Sequence, residues 1–204
     1  YNSIFNEPHN CQDGKTYSNR NHILDDYNPV KLPDFLQEAV EPSEQTKVIL
    51  AGATGFIGSL LLRDLLLHRK RLGLFGGVIV ICRQKWNKSA RERIDNLLKQ
   101  EMFSFLTDAQ KRDLVYVIDG DLSLPQFGMS DDDYYNACNL QNISLVINSA
   151  ACVNFTEPLE RAAVSNISTA LQLQELAFKL KGPKYVYIST AFVHGDKTGV
   201  ERNP

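Results

Sequence analysis

A glycine-rich segment constrains the fold of this chain more than any other sequence feature. It reads Gly-Ala-Thr-Gly-Phe-Ile-Gly over residues 52–58, after the apolar run 48–51 and before leucines at helical spacing over residues 60–66. In such a turn the first glycine allows a tight bend out of a strand, the second allows a pyrophosphate to approach the main chain, and the third allows close helix packing. The helix amides and dipole favour an anion. The strand, turn and helix therefore predict a dinucleotide site rather than a turn without a ligand.

The remainder of the chain repeats this alternation of strand and helix. Apolar, β-branched runs of strand length predict strands at residues 48–51, 78–82, 114–118, 145–148 and 185–189. Helices are predicted at residues 56–68, after Ser89, and at residues 131–139 and 159–180. The pattern indicates an α/β fold with a doubly wound parallel sheet of Rossmann type. We expect the sheet to be truncated after about five strands.

Capping signals mark several of the predicted helix ends. Ser89 with Glu92, and Ser130 with Asp133, have the spacing in which a side-chain oxygen caps the third amide while the acid reaches back. The Gly-Pro pair at residues 182–183 is predicted to end the last helix.

Composition and charge exclude several functional classes. The 204 residues are 43% hydrophobic and 23% charged, as in ordinary soluble domains, and a net charge of -2 with no basic run argues against nucleic acid as a partner. Apolar runs are too short to span a membrane, since a span needs about 20 residues. The four cysteines lack metal-site spacing, so we predict no metal and reduced thiols in an intracellular compartment.

Two regions are predicted along the chain. Residues 1–46 are interpreted as a polar N-terminal tail with a short amphipathic docking segment at residues 34–40, and residues 47–204 as the Rossmann domain. The first residue is Tyr1, and no charged start followed by an apolar run suggests a signal peptide. We therefore expect a fragment of a longer protein, with the domain incomplete at its C-terminal end.

The end of the second strand predicts which nicotinamide cofactor is preferred. An acidic residue there accepts hydrogen bonds from the ribose hydroxyls of NAD, whereas Arg or Lys pairs with the 2′-phosphate of NADP. Here the strand leads into Arg83, with Lys85 and Lys88 close behind and no Asp or Glu over residues 80–88. NADPH is therefore the predicted cofactor. The alternative is that these cations only solvate the end of a loop.

Several further motifs carry a resemblance to a known family. Besides the glycine turn, they are Lys-Ser-Ala-Arg-Glu-Arg at 88–93, Gly-Asp-Leu at 120–122, Ser-Ala-Ala-Cys-Val-Asn-Phe at 149–155, Glu-Pro-Leu at 157–159 and Ile-Ser-Thr-Ala-Phe-Val at 188–193. From residue 47 onward the chain resembles the NADPH-binding domain of fatty acyl-CoA reductases. That family includes the plant male-sterility proteins and belongs to the extended short-chain dehydrogenase/reductase superfamily.

The resemblance implies a set of cofactor-binding residues. Together with the turn and the end of the second strand, the set is Gly52, Thr54, Gly55, Phe56, Ile57, Gly58, Arg83, Lys88, Asp121, Leu122, Ser149, Ala150 and Ala151. Asp121 is expected beside the adenine, where it could accept from the exocyclic amine or simply cap a turn. The small side chains of 149–151 are expected to let the cofactor lie against the sheet edge.

The resemblance also implies catalytic residues. Thr190, with Ser189 as the neighbouring alternative, matches the hydroxyl that donates to a substrate oxygen gaining negative charge. The alternative is that this Ser-Thr pair at the strand end only forms hydrogen bonds with backbone groups. Asn166 matches the helix asparagine that supports a proton relay through water. Cys152 is interpreted as a packing residue, and His194 as a loop residue.

The superfamily's proton donor, a Tyr with a Lys four residues on, has no counterpart in the expected place. The only Tyr-x-x-x-Lys, at Tyr27 and Lys31, contains Pro29 and precedes the first strand, so we reject it as catalytic. We expect the pair to lie beyond this chain.

By resemblance, the parent protein reduces long-chain acyl-CoA to a primary fatty alcohol with two NADPH, through an aldehyde. The fragment alone is expected to bind NADPH without catalysis. One alternative is a thioester reductase domain that acts on carrier-bound acyl groups, and another is a non-catalytic NADP-binding scaffold. Later segments of family members often attach to endoplasmic reticulum or peroxisomal membranes, so the parent is expected there or in the cytoplasm.

Overall fold

Five parallel strands form a single sheet in the computed structural model, which describes residues 46–190. The strands are β1 (Lys47–Ala51), β2 (Gly77–Cys82), β3 (Val115–Asp119), β4 (Ile143–Asn148) and β5 (Lys184–Tyr187). They lie in the order β3-β2-β1-β4-β5, so the chain winds outward from β1 in both directions. The predicted α/β fold with a doubly wound parallel sheet is confirmed. The predicted segment at residues 34–40 lies outside the described residues.

The two faces of the central strand pack against different sets of helices. Val48 and Leu50 belong to one buried cluster, whereas Ile49 and Ala51 belong to the other. All four side chains are at most 1% exposed. This alternation follows from the two-residue period of a strand, and both faces are apolar because a parallel sheet is covered on both sides.

Six α-helices connect and cover the strands. They are α1 (Phe56–Leu67), α2 (Ala90–Leu98), α3 (Asp108–Leu114), α4 (Asp131–Cys138), α5 (Leu159–Ala163) and α6 (Thr169–Lys179) in the described part of the chain. Helix α3 was not predicted, although Thr107 and Gln110 form a capping box at its start. Its seven residues are too few to show a clear helical period. Its last residue, Leu114, falls within the predicted third strand, whereas the observed strand begins one residue later, at Val115.

The long helix predicted over residues 159–180 is interrupted in its middle. A π-helical segment, Val164–Ser168, joins α5 to α6. The hydroxyl of Thr169 donates to the carbonyls of Val164 at 3.4 Å and Leu122 at 3.0 Å, which ties the segment to the loop after β3. The helix ends at Lys179, before the Gly-Pro pair at residues 182–183, and the left-handed residue between them is Lys181, with φ of 58°.

The capping box predicted at Ser89 is complete. The Ser89 hydroxyl accepts from the amide of Glu92 at 3.2 Å, and the Glu92 carboxylate accepts from the amide of Ser89 at 2.7 Å. At α4 only half of the predicted box forms. Ser130 caps the Asp133 amide, but the Asp133 carboxylate accepts from the Ser130 hydroxyl instead of its amide.

Ser89→Ala is expected to lower the free energy of unfolding by about 1 kcal/mol, because it removes an N-cap oxygen and half of a capping box. Urea denaturation followed by far-ultraviolet circular dichroism would measure the loss. Ser104→Ala is the matched control, since Ser104 is also exposed and no side-chain hydrogen bond of it is found within residues 46–190. Equal stability of the two variants would contradict the capping role.

Within the described residues, no helix is both long and apolar enough to cross a membrane.

Candidate cofactor-binding site

A cleft of about 490 Å³ opens at the carboxyl ends of the central strands. It is bounded by the loops that follow β1, β2, β3 and β4. Strand order reverses at β1, and ligands of open α/β sheets bind at such a switch point. Most of the predicted cofactor residues line this cleft: Gly52, Thr54, Gly55, Arg83, Asp121, Leu122, Ser149, Ala150 and Ala151.

The glycine turn has the shape of a phosphate cradle. Gly52 has φ of 84°, and a Cβ there would lie 2.6 Å from the amide nitrogen of Ala150. A Cβ on Gly58 would collide with the Gly52 carbonyl. A Cβ on Gly55 would meet only the Gly52 oxygen, at 3.3 Å, and would otherwise occupy the space in which a ligand could approach. The close contacts at Gly52 and Gly58 fit the tight bend and the close helix packing predicted for these glycines, whereas the approach of a pyrophosphate at Gly55 stays a prediction.

The start of α1 faces the cleft with its main chain rather than with its side chains. Its N-cap is Gly55, and no side chain caps the helix. Phe56 is 83% exposed and Ile57 is 50% exposed, and neither lines the cleft. Gly58 is buried against the turn. Any contribution of these predicted residues to anion binding therefore comes from their amides.

The end of β4 is bonded to the end of β1. The hydroxyl and amide of Ser149 both donate to the Ala51 carbonyl, at 2.6 and 3.1 Å. The Ala150 amide donates to the side-chain oxygen of Asn148 at 3.0 Å. These polar groups are engaged in the sheet. Residues 149–151 are a serine and two alanines, so their side chains occupy little of the cleft.

Arg83 and Asp121 form an ion pair in the cleft, just after the ends of β2 and β3. Arg83 Nη1 donates to Asp121 Oδ2 at 2.8 Å, and Asp121 Oδ1 accepts from the amide and hydroxyl of Ser123 at 3.0 and 2.6 Å. Burial opposes ionisation of Asp121, but the hydrogen bonds from Ser123 and Arg83 outweigh it and hold the pKa of that carboxyl below its ordinary value. The group is therefore a carboxylate near neutral pH.

Arg93 is a cleft residue that the sequence analysis did not assign. Its Nη2 donates to Thr54 Oγ1 at 3.1 Å, and its Nη1 donates to the Arg83 carbonyl at 2.6 Å. It has no carboxylate partner within the described part of the chain. In the sequence, Arg93 is the last residue of the motif at 88–93 and lies one helical turn after the cap Ser89. That spacing is the one sequence signal that could have pointed to a cleft residue here.

Cys82 lies next to this group. Burial raises the pKa of the Cys82 thiol, so the thiol is neutral.

The two lysines after Arg83 take different positions. Lys85 lines the cleft, whereas Lys88, the predicted ligand, does not. Their backbones exchange two hydrogen bonds of 3.0 Å around a tight turn in which Trp86 and Asn87 both have φ of 54°. This reversal leads the chain back toward α2, so only the first lysine faces the site.

The predicted catalytic residues lie near β4 and after β5. Asn166, in the π-helical segment, accepts from the Cys152 amide at 2.7 Å and donates to the Cys152 carbonyl at 3.2 Å. Its side chain thus braces the loop after β4. Strand β5 ends at Tyr187, two residues earlier than predicted, and neither Ser189 nor Thr190 lines the cleft. The catalytic roles of these residues stay predictions.

The remaining sequence candidates fall elsewhere. Tyr27, Lys31 and His194 lie outside the described residues. Among residues 46–190, no group of three or more His, Cys, Asp or Glu side chains could hold a metal ion.

Comparison with known proteins agrees with this geometry. The family model described as male sterility protein matches residues 50–204. The chain is 33% identical over 150 residues to fatty acyl-CoA reductase wat of Drosophila melanogaster, covering 72% of this chain and 28% of the relative. It is 29% identical over 175 residues to fatty acyl-CoA reductase 1 of Mus musculus, covering 84% of this chain and 32% of the relative. The chain thus spans about a third or less of these relatives.

A solved structure shares the fold. The terminal R domain from the myxalamid PKS-NRPS biosynthetic pathway superposes with a TM-score of 0.63 at 26% identity, covering 78% of this chain and 39% of that domain. The glycine cradle, the cleft at the switch point and the family match agree with one another. The chain therefore carries an NAD(P)-binding reductase domain and belongs to the male sterility protein family, the fatty acyl-CoA reductase family that its motifs predicted.

Proposed function

We propose that this chain is the NADPH-binding part of a fatty acyl-CoA reductase that converts long-chain acyl-CoA to a primary fatty alcohol. The observation that carries the proposal is the cationic end of the cleft, where Arg83, Lys85 and Arg93 surround the end of β2 beside the glycine cradle. A 2′-phosphate distinguishes NADPH from NADH, and arginine forks suit its geometry. The names of the relatives support acyl-CoA as the substrate.

Two NADPH molecules, bound one after the other, would each supply one hydride, the first to the thioester, which releases the CoA thiol and leaves an aldehyde, and the second to the aldehyde. The protein's own residues would hold and orient the reactants. Amides at the start of α1 would bind the pyrophosphate. Ser189 or Thr190 would donate a hydrogen bond to the substrate oxygen as its negative charge develops.

The sequence after β5, residues 188–204, contains no tyrosine that could donate the proton of each alcohol or thiol. In the full-length protein we assign this proton to a Tyr-x-x-x-Lys pair, with Asn166 supporting a water relay. We therefore expect the 204-residue chain to bind NADPH without reducing acyl-CoA.

NADPH is expected to raise the melting temperature of the chain more than NADH does. At about 100 times its dissociation constant, a ligand adds roughly 2.7 kcal/mol, which corresponds to roughly 5–10 °C for a domain of this size. Differential scanning fluorimetry would compare the two cofactors on the wild type and on Arg83→Ala, in which the difference should shrink. Arg63→Ala removes an arginine from an ion pair on α1, outside the cleft, and is the control.

Two outcomes of this experiment would contradict the proposal. Equal protection of the wild type by both cofactors would remove the assignment of Arg83 to a 2′-phosphate. No protection by either cofactor would remove the cofactor site itself.

A thioester reductase acting on carrier-bound acyl groups is the second candidate. The likeness to the myxalamid R domain favours it. The full-length protein would be given one acyl group either on CoA or on a phosphopantetheine carrier, and the consumption of NADPH would be followed. Faster turnover of the carrier-bound form would favour the second candidate, and no turnover of either would favour a non-catalytic NADP-binding scaffold.

A further inference from the structure

We infer that Asp121 is a positioning residue that holds Arg83 in place for the 2′-phosphate, so that selectivity for NADPH depends on the loop after β3 as well as on β2. This inference rests on the proposed function and gives Asp121 a role other than the adenine contact expected from the family resemblance.

The ion pair joins two neighbouring strand ends. Strands β2 and β3 pair in parallel with Cys82 opposite Asp119, so Arg83 and Asp121 lie side by side although 38 residues separate them in sequence. The Arg83 side chain is 50% exposed. A long exposed side chain loses rotamer freedom when it binds a ligand, and a partner that fixes it beforehand reduces this loss.

Asp121 is itself rigidly held. Its amide donates to the Phe127 carbonyl at 2.8 Å, and its carboxylate accepts two hydrogen bonds from Ser123. The next carbonyl, that of Leu122, accepts from Thr169 Oγ1 at 3.0 Å and from Gln172 Nε2 at 3.2 Å on α6. The Asp121 carboxylate is thus fixed to α6 through the main chain of its own loop, as a supporting group must be.

The donors and charges around the pair are compatible with phosphate binding. Asp121 occupies one of the five N–H donors of the Arg83 fork, which leaves the others for a phosphate. Asp121 Oδ1 already accepts two hydrogen bonds and Oδ2 accepts one, so only one acceptor position of the carboxylate is left for an adenine amine. Three cationic and two anionic side chains line the cleft: Arg83, Lys85 and Arg93 against Asp121 and Glu157. The cleft remains attractive to an anion despite the carboxylate.

The test is a calorimetric titration of NADPH and NADH into Asp121→Asn and a matched control. Asp95→Asn changes the net charge equally and also removes an Arg–Asp ion pair, with Arg91 at 3.0 Å, but Asp95 does not line the cleft. Relative to the control, Asp121→Asn should lower the affinity for NADPH roughly tenfold and change the affinity for NADH by less than about twofold. In an Arg83→Ala background, Asp121→Asn should have no further effect on either cofactor.

Ser123→Ala provides a second variant, because it loosens the Asp121 carboxylate without changing any charge. It should lower the affinity for NADPH but not for NADH, and by a smaller factor than Asp121→Asn does.

Tighter binding of NADPH by Asp121→Asn would overturn the inference and identify the carboxylate as a repulsive group. Equal weakening of both cofactors would overturn it in favour of an adenine contact. If the wild type itself does not prefer NADPH, the proposed function fails; if it does and Asp121→Asn matches the control, only the positioning role fails.

Discussion

Gly58→Ala is expected to destabilise the domain by about 3 kcal/mol or more and to abolish cofactor binding. The added Cβ would collide with the Gly52 carbonyl and lie 2.8 Å from the Ser149 hydroxyl. These groups cannot move aside easily, since one is backbone in the turn and the other is bonded to β1. Chemical denaturation would measure the loss of stability, and NADPH titration the loss of binding.

Two other glycines separate folding from ligand binding. Gly182→Ala is the control, because a Cβ there has no neighbour within 4 Å, and it should change stability by less than about 1 kcal/mol. Gly55→Ala should leave the chain folded but reduce NADPH affinity, since the methyl group would enter the space over the turn. Normal NADPH binding by Gly55→Ala would show that the phosphates do not lie at this turn.

Arg93→Ala is expected to lower the affinity for NADPH roughly 10- to 100-fold, which is the range for the loss of a hydrogen bond to a charged group. Arg93 links the glycine turn to the end of β2 through Thr54 and the Arg83 carbonyl, and it is an arginine of the cleft without a carboxylate partner among the described residues. Its removal should therefore take away both a cation and a brace. Arg93→Lys, which keeps the charge but loses the planar fork, should fall between the variant and the wild type.

The fluorescence of Trp86 can be used to measure the affinity of these variants for NADPH. It is the only tryptophan of the chain, is 84% exposed, and follows Arg83 by three residues. NADPH absorbs where tryptophan emits, so its binding should quench this signal. Arg91→Ala is the control on the same helix, because Arg91 pairs with Asp95 away from the cleft. Unchanged affinity in Arg93→Ala, or an equal loss in Arg91→Ala, would contradict the role of Arg93.

The central sheet could be predicted because its signals are local. Strand β2 is a run of β-branched residues, and its observed start at Gly77 differs by one residue from the prediction. The π-helical segment could not be predicted, since its residues fit a continuous helical pattern and the widened turn depends on contacts such as Thr169 with Leu122. The end of β5 at Tyr187 likewise depends on where pairing with β4 ends at Asn148.

Several residues that line the cleft could be identified from the sequence, but neither Arg93 nor the contacts among them could. Arg83 and Asp121 were each identified, yet their ion pair depends on the placement of β3 beside β2. Arg93 returns to the cleft only because the turn at Trp86 and Asn87 redirects the chain, and tryptophan rarely adopts the positive φ found there. That turn has no distinctive sequence signal, so the sequence could not show that Lys85 rather than Lys88 lines the cleft.

The hydrogen bonds from Ser149 to the Ala51 carbonyl have a consequence for how the domain folds. They close a loop of 98 residues, and such distant contacts form late, after the entropy of closing the loop has been lost. The glycine turn is encoded early in the chain, but its cradle is completed by the end of β4. A nascent chain that has not yet docked β4 should therefore have no phosphate site, and cofactor binding should report that the central sheet is assembled.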